Sequence, residues 1–200
     1  PEPTPEPTPP PAPEPTPTPD ETPEPEVISS LEEIGEPGKK STFSLENAIK
    51  IGSYRLQTVL TGTRKKDKIT GTSDNEILTG CSNKDKLKGK RGADGFLFQN
   101  PMDFGKKKSD TILDFNPSEG DALVLNSDVF NIDETITIKV VTGKKSTKKA
   151  EKSKRQFIYD DKKGLLYFNE NGQDKGWGDG GMFAKLIDAP ELGIENITVI

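Results

Sequence analysis

Histidine is absent from this 200-residue chain, and cysteine occurs once, as Cys81. The lack of histidine excludes Ser-His-Asp and Cys-His catalysis, histidine-ligated zinc sites and the commonest general base at neutral pH. A single cysteine excludes an internal disulfide and a multi-cysteine metal cluster. The side chains of most hydrolytic and zinc chemistry are therefore missing, and we expect no enzymatic activity within this chain.

Apolar residues are also scarce. Hydrophobic residues make up 30% of the chain and aromatic residues 6%, and the mean hydropathy is -0.72. A membrane-spanning helix needs about 18 or more consecutive apolar residues, and no stretch approaches that, so we expect no membrane span. The length leaves room for one domain, or for a modest domain with tails.

Proline is concentrated at the start of the chain. Residues 1–26 contain thirteen of the 17 prolines and seven acids without a single base. Proline fixes φ and removes a hydrogen-bond donor, so this composition favours an extended, disordered linker that builds no core. We expect it to tether the folded part to an upstream domain or a cell surface. The chain begins with Pro1 and not with methionine, which agrees with an upstream portion.

Residues 27–61 are expected to form an entry or cap segment, with a short helix in "VISSLEEIGEPG" that ends before Pro37 and short strands in "TFSLENAIKIGSYRLQTVL", ahead of a tandem repeat over residues 62–97. Each of the four nonapeptides in this repeat opens with a glycine, carries an acid five positions later and a large apolar residue two positions after the acid. The glycines are Gly62, Gly71, Gly80 and Gly89, the acids are Asp67, Glu76, Asp85 and Asp94, and the apolar residues are Ile69, Leu78, Leu87 and Phe96.

This rhythm predicts an all-β fold built as a short parallel β-roll. Each unit is a turn followed by a strand of three residues, whose middle side chain points inward because side chains alternate along a strand. Two units complete one coil, so four repeats predict two coils. Repeat one then stacks on repeat three and repeat two on repeat four, which places Asp67 beside Asp85 and Glu76 beside Asp94.

Stacked acids have an electrostatic consequence. The core contains one apolar side chain per nine residues, which contributes little stability, and neighbouring carboxylates repel each other. A hard cation with oxygen ligands would neutralise the acid rows, and calcium tolerates irregular sets of carbonyl and carboxylate ligands better than magnesium does. We therefore expect Ca²⁺ as the cofactor.

The repeats resemble the RTX (haemolysin-type) calcium-binding repeat. The segments "GTSDNEIL" and "GKRGADGF" are close to that pattern. The stretch "SDTILDFNPSEGDALVL" (109–125) is similar to the segment that closes the roll in RTX proteins and in the non-catalytic C-terminal region of serralysin-type proteases. "FIYDDKKGLLYFNENG" (157–172) and "APELGIENITVI" (189–200) resemble the rest of that module.

The resemblance implies a calcium-binding roll that continues into an antiparallel β region over residues 98–200. It implies that Asp110 and Asp114 complete a calcium site at the end of the roll, and the alternative is a solvated strand face with Ile112 and Phe115 buried. It also implies bacterial secretion to the extracellular space through type I secretion machinery, which reads an uncleaved C-terminal signal, and Glu195–Ile200 fits such a signal.

The repeats also depart from the family pattern. The fourth position of each turn favours a residue that tolerates the left-handed conformation, and here it holds Lys65, Asp74, Asn83 and Gly92. A left-handed Lys65 would cost about 1–2 kcal/mol. Many lysines flank the acids, more of them around Asp67 and Asp85 than around Glu76 and Asp94. Two interpretations stay open: the calcium sites are weak, or lysines replace calcium and the roll is partly metal-independent.

A second basic stretch, "KKSTKKAEKSKR" (144–155), admits two interpretations. One is a solvated hairpin loop, and the other is a contact for polyanions such as acidic polysaccharide, lipid headgroups or nucleic acid. No aromatic residue interleaves these bases, so we expect no nucleic-acid partner. The later glycine-rich stretch 169–181 contains Trp177, either as a packing anchor or as an exposed aromatic.

The sequence thus predicts a secreted calcium-binding module whose folding is coupled to the ion. Two alternatives remain: a metal-independent structural or adhesive surface module, and the non-catalytic tail of a secreted hydrolase.

Overall fold

The computed structural model of this chain describes residues 26–28, 40–43, 49–56, 58–99, 104–132, 135–172 and 174–200. Apart from Glu26, the expected proline-rich linker lies outside the described residues. Within the described ranges the chain consists of short strands and one α-helix, which agrees with the expected all-β class.

The strands are short throughout. In chain order they are β1 Glu26–Ile28, β2 Lys40–Phe43, β3 Ile49–Ile51, β4 Tyr54–Leu56, β5 Thr58–Thr61, β6 Lys68–Thr70, β7 Glu76–Thr79, β8 Lys86–Lys88, β9 Gly95–Phe98, β10 Asp110–Ile112, β11 Ala122–Leu125, β12 Ile138–Val141, β13 Phe157–Asp160, β14 Leu165–Phe168, β15 Gly181–Leu186 and β16 Ile197–Val199. Helix α1 spans Gly143–Ala150, and 3-10 turns cover Pro117–Glu119 and Ile194–Asn196.

Two seven-stranded sheets contain most of these strands. The first sheet has the order β1-β2-β5-β7-β9-β11-β16, and the second has the order β12-β13-β14-β15-β10-β8-β6. From β5 to β11 successive strands alternate between the two sheets, and within each sheet their pairs are parallel. The chain therefore coils between the sheets, with one strand in each sheet per coil.

The register follows the repeat. Ile69 lies opposite Leu87 in the second sheet, and Leu78 lies opposite Phe96 in the first. Repeats one and three are therefore neighbours, as are repeats two and four. Parallel pairing continues beyond residue 97 into β10 and β11, so the expected limit of two coils is not confirmed.

The region after the repeats is a mixed β region. Strands β13, β14 and β15 pair antiparallel, in line with the resemblance. However, β12 pairs parallel with β13, β15 with β10, and β16 with β11. The C-terminal strands thus extend the same two sheets that the repeats begin.

The inward-facing positions of the repeats behave as the alternation predicts. Leu78, Leu87 and Phe96 are fully buried between the sheets. Ile69 packs against the same cluster but is only partly buried, because β6 is the edge of the second sheet. The prediction of one inward side chain per repeat is confirmed for these positions.

A second apolar cluster covers the outer face of the first sheet. The β3–β4 hairpin contributes Ile49, Ile51 and Leu56, which pack on Val59, Ile77, Leu97, Ala122 and Val124. Strands β7, β9 and β11 are therefore buried on both faces. This explains why their sequences are apolar at consecutive positions and not only at alternate ones.

Aromatic packing joins the roll to the C-terminal strands. Phe98 on β9 meets Phe183 on β15 with ring centroids 5.2 Å apart, and Phe130 lies 5.2 Å from Phe183 and 5.5 Å from Phe157. Tilted and edge-on aromatic pairs at these distances stabilise cores beyond their buried area. This phenylalanine cluster adds the apolar mass that the repeats lack.

The basic stretch 144–155 begins as a helix, so the expectation of a solvated hairpin loop is wrong there. The Gly143 amide donates to Asp160 Oδ1 at 2.9 Å and the Thr147 hydroxyl to Asp160 Oδ2 at 3.0 Å, while Ala150 is buried beside Ile158. The buried carboxylate holds the first turn of α1, where the helix dipole favours an anion.

No helix in the described part of the chain is both long and apolar enough to cross a bilayer.

Replacing Leu87 by alanine tests the core between the sheets. Leu87 is fully buried, so Leu87→Ala should lower the free energy of unfolding by about 2–5 kcal/mol, measured by urea denaturation. Ile69→Ala at the partly exposed neighbour on β6 is the matched control and should cost about half as much or less. Equal losses would contradict the difference in burial between Leu87 and Ile69.

Candidate functional site

Three acids form a column beside the second sheet, each at the residue before or at the start of its strand. The Asp67 amide donates to Asp85 Oδ1 at 2.7 Å, and the Asp85 amide donates to Asp110 Oδ1 at 2.8 Å. Each carboxylate thus reaches back to the backbone of the preceding coil. The sequence-predicted neighbours Asp67 and Asp85 do lie together, and Asp110 continues their column.

A second column follows the first sheet in the same way. The Glu76 amide donates to Asp94 Oδ1 at 3.0 Å, and the Asp94 amide donates to Asp121 Oδ1 at 2.9 Å. Asp114 stands outside both columns. Its two carboxylate oxygens accept from the Gly89 and Lys90 amides, each at 3.0 Å.

Sequence reasoning missed Asp121. Column neighbours within the repeats are separated by 18 residues, whereas Asp110 follows Asp85 by 25 and Asp121 follows Asp94 by 27. The longer connections break the nine-residue period. One signal was nevertheless present, because Asp121 precedes the buried Leu123 by two positions, as each repeat acid precedes its apolar residue.

The glycine that opens each repeat makes room for the acid. A Cβ atom on Gly71, Gly80 or Gly89 would collide with the carboxylate of Glu76, Asp85 or Asp94 respectively. At Gly62 the same atom would lie 3.1 Å from Asp67 Oδ2 and 2.7 Å from the Gly80 carbonyl oxygen. The spacing of glycine and acid is therefore a steric requirement, and none of these four glycines has a positive φ.

In each of the first two turns, a threonine donates hydrogen bonds to the acid of the same turn. The Thr63 amide and hydroxyl donate to Asp67 Oδ2 at 2.6 and 2.7 Å. The Thr72 amide and hydroxyl donate to Glu76 Oε2 and Oε1 at 2.6 and 3.0 Å. Lys65, at the fourth position, has no positive φ, so the cost of a left-handed lysine does not arise in this turn.

The next two turns have a different backbone. Cys81 and Asn83 in the third turn have φ of 66° and 75°, and Lys90 and Gly92 in the fourth have φ of 80° and 108°. The Lys90 amide donates to Asp114 and not to the acid of its own turn. As a result, Asp85 Oδ2 and Asp94 Oδ2 are buried and have no hydrogen-bond partner among the described residues.

Burial also changes the protonation of these acids. Burial away from solvent raises the pKa of Asp94 and Asp110 to about 7 and that of Asp85 and Asp121 to about 6. Repulsion from the neighbouring carboxylates adds a smaller rise in the pKa of each acid. Backbone hydrogen bonds oppose the rise in each case, and Lys84 opposes it at Asp110. Without a counter-ion, this half of the roll therefore retains protons near neutral pH.

The two partnerless oxygens fit the chemistry of a hard cation. Both are carboxylate oxygens, both are buried, and each belongs to a column with a second acid of raised pKa. Among the described residues no three acid or cysteine side chains converge as a ready-made metal site. Ligation would thus use Asp85 or Asp94 together with other oxygen atoms such as backbone carbonyls, the ligand set that calcium accepts.

Titration of the columns predicts an unusual pH profile. An acid whose pKa is higher in the folded than in the unfolded chain binds protons preferentially when folded, so stability falls as pH rises from about 4 to about 7 and then levels off. In a calcium chelator, thermal melting should show this fall, and Asp110→Asn should reduce its slope. A melting temperature that rises across this window would contradict the assignment.

The steric role of glycine predicts a coupling between Gly89 and Asp94. Gly89→Ala forces a Cβ atom against the Asp94 carboxylate and should cost about 1–3 kcal/mol of unfolding free energy by urea denaturation. In an Asp94→Ala background the carboxylate is gone, and the same substitution should cost clearly less. An equal cost in both backgrounds would show that the glycine is needed for another reason.

Comparison with known proteins identifies no family for this chain. No protein-family model matches it, and no curated protein matches it. Among solved structures, the chain is similar to the AlgE6R3 subunit from the Azotobacter vinelandii mannuronan C5-epimerase, with 22% sequence identity, 72% of each chain covered and a TM-score of 0.40. The chemistry of the site therefore rests on its own geometry.

Proposed function

We propose that this chain is a secreted calcium-binding module of the RTX type, that its folding is coupled to calcium, and that it has no catalytic activity. The observation that carries the proposal is the pair of buried carboxylate oxygens, on Asp85 and Asp94, that have no hydrogen-bond partner in the described structure. A buried charge without a partner is costly, and a bound cation removes that cost.

The ion-binding part of the roll is its second half. Asp85 and Asp94 supply the oxygens without partners, and Asp110 stacks on Asp85. Asp121 and Asp114 lie beside the fourth turn, but both oxygens of each already accept backbone amides. Asp67 and Glu76 are less suitable ligands, because Thr63 already donates twice to Asp67 Oδ2 and Thr72 donates to both oxygens of Glu76. The smaller number of flanking lysines had favoured Glu76 with Asp94 as the calcium-binding pair, whereas the hydrogen bonds favour Asp85 and Asp94.

Calcium binding would act on folding by linkage. An ion that binds the folded chain adds RT ln(1 + [Ca²⁺]/Kd) to its stability, about 2.7 kcal/mol at one hundred times Kd for one site. Where calcium is scarce, the repelling acid columns leave the roll weakly stable, a state suited to export. Secretion through type I machinery rests on the resemblance of residues 109–125 and of the C-terminal residues to RTX proteins.

A metal-independent surface module is the second candidate, and one observation favours it. Within the described residues the first two turns are complete without an ion, since Thr63 and Thr72 satisfy their acids. In addition, Asp85, Asp94 and Asp110 each accept a backbone amide through one oxygen, and Asp121 accepts one through each of its two oxygens. The tail of a secreted hydrolase stays a prediction that sequence upstream of Pro1 would test.

Calcium titration of charge-neutral variants tests the proposal. Calcium should raise the melting temperature of the parent chain by about 5–10 °C at one hundred times Kd, and calorimetry should detect binding. Asp85→Asn combined with Asp94→Asn keeps the shape of both side chains, yet should abolish the calcium-induced rise because the ligand charge is lost.

Glu76→Gln is the matched control, since the second oxygen of Glu76 already has partners. This variant should keep the calcium response of the parent chain. Identical circular dichroism spectra and melting curves of the parent with calcium and with EGTA would instead support the metal-independent roll.

A further inference from the structure

A groove of about 1120 Å³ lies against β14 and β15 of the second sheet. Its walls carry six lysines and one acid, Asp188. The lysines are Lys84, Lys106, Lys144, Lys162, Lys163 and Lys185. They come from five separate parts of the chain, so the fold collects these charges and no single basic run supplies them.

The charge of this groove is largely uncompensated, with Asp188 in its wall and Asp110 near Lys84 as the acids that oppose it. In the part of the chain that the structure describes, none of the six ammonium groups has an ion pair or a side-chain hydrogen bond. Like charges that share a concave wall repel each other and raise the local positive potential. An anionic ligand would relieve that repulsion.

An aromatic pair stands in the same groove. The rings of Tyr167 and Trp177 are stacked, with centroids 5.0 Å apart and planes 15° apart, and both residues line the groove. The pair also lines a smaller pocket of about 170 Å³, which shares Lys144 and Lys163 with the groove and adds Lys148 and the acids Glu151 and Asp160. The aromatic pair therefore has lysines on the side of the groove and two acids on the side of the smaller pocket.

We infer that this groove binds an acidic polysaccharide, a chain of sugar rings that carry carboxylates. The lysines would contact the carboxylates, and the Tyr167–Trp177 platform would take the apolar C–H face of a ring. The groove volume lies above the range of roughly 300–1000 Å³ that is usual for a small ligand, which favours several linked rings over one compact anion.

Other polyanions fit the groove less well. A bilayer surface is flat and cannot enter a concave groove. Among the described residues the lining contains no asparagine or glutamine to read adenine and no arginine, and it offers one stacked aromatic pair where single-strand binders use several platforms. The acids of the two columns do not line the groove, so the inference is independent of calcium binding.

Trp177 provides the readout, because it is the sole tryptophan of the chain. A short oligogalacturonate should change its fluorescence in a saturable way, whereas an uncharged malto-oligosaccharide of equal length should not. Lys162→Glu with Lys163→Glu should raise the Kd for the oligogalacturonate at least about tenfold. The titration is run with calcium and with EGTA, which separates a failure of this inference from a failure of calcium binding.

Lys145→Glu with Lys149→Glu is the matched control, because these exposed lysines of α1 carry the same charge change and do not line the groove. This variant should bind within about twofold of the parent chain, and circular dichroism should show that both variants are folded. Equal weakening in the two variants, or tighter binding of an oligothymidylate than of the oligogalacturonate, would overturn the inference.

Discussion

The roll depends on a hydrogen bond between the acid of one coil and the backbone amide of the preceding coil. Asp85, Asp94, Asp110 and Asp121 all make this bond. Within the repeats it requires an acidic side chain at one position and the absence of a Cβ atom five positions earlier, which is why glycine and acid recur in step. Strand pairing and inward packing follow from it, because the bond fixes where each turn ends and each strand begins.

The four turns divide into two kinds with different needs. Thr63 and Thr72 make the first two turns self-sufficient, while the left-handed backbone at Cys81 and Lys90 leaves the acids of the next two turns incomplete. The two proposed functions, with and without a metal, therefore apply to successive coils and do not exclude each other for the whole roll. A stable first half can serve as the template on which the second half orders when its buried charge is compensated.

The repeat rhythm was sufficient to predict the all-β class, the inward residues and the contact of Asp67 with Asp85 and of Glu76 with Asp94. It was insufficient to predict the position of Asp121, because the connections to Asp110 and Asp121 are longer than those within the repeats and interrupt the nine-residue period. The left-handed backbone at Asn83 and Gly92 agrees with the expectation for the fourth position, whereas that at Cys81 and Lys90 was beyond prediction, since neither is a residue type that favours positive φ. Helix α1 was missed because its anchor, Asp160, lies 17 residues from Gly143, on a strand that only the fold brings near.

Alternation between the sheets restricts how such a chain can change in length. Each nonapeptide delivers its strand to the sheet opposite the previous one, and equivalent acids meet across 18 residues. Tandem duplication or loss of a single unit would send every later strand to the wrong side and break both columns. Units can therefore be gained or lost in pairs, whereas the separations of 25 and 27 residues show that extra residues are accommodated within the connections. The repeat region of this architecture is therefore expected to change in length by whole coils of two units.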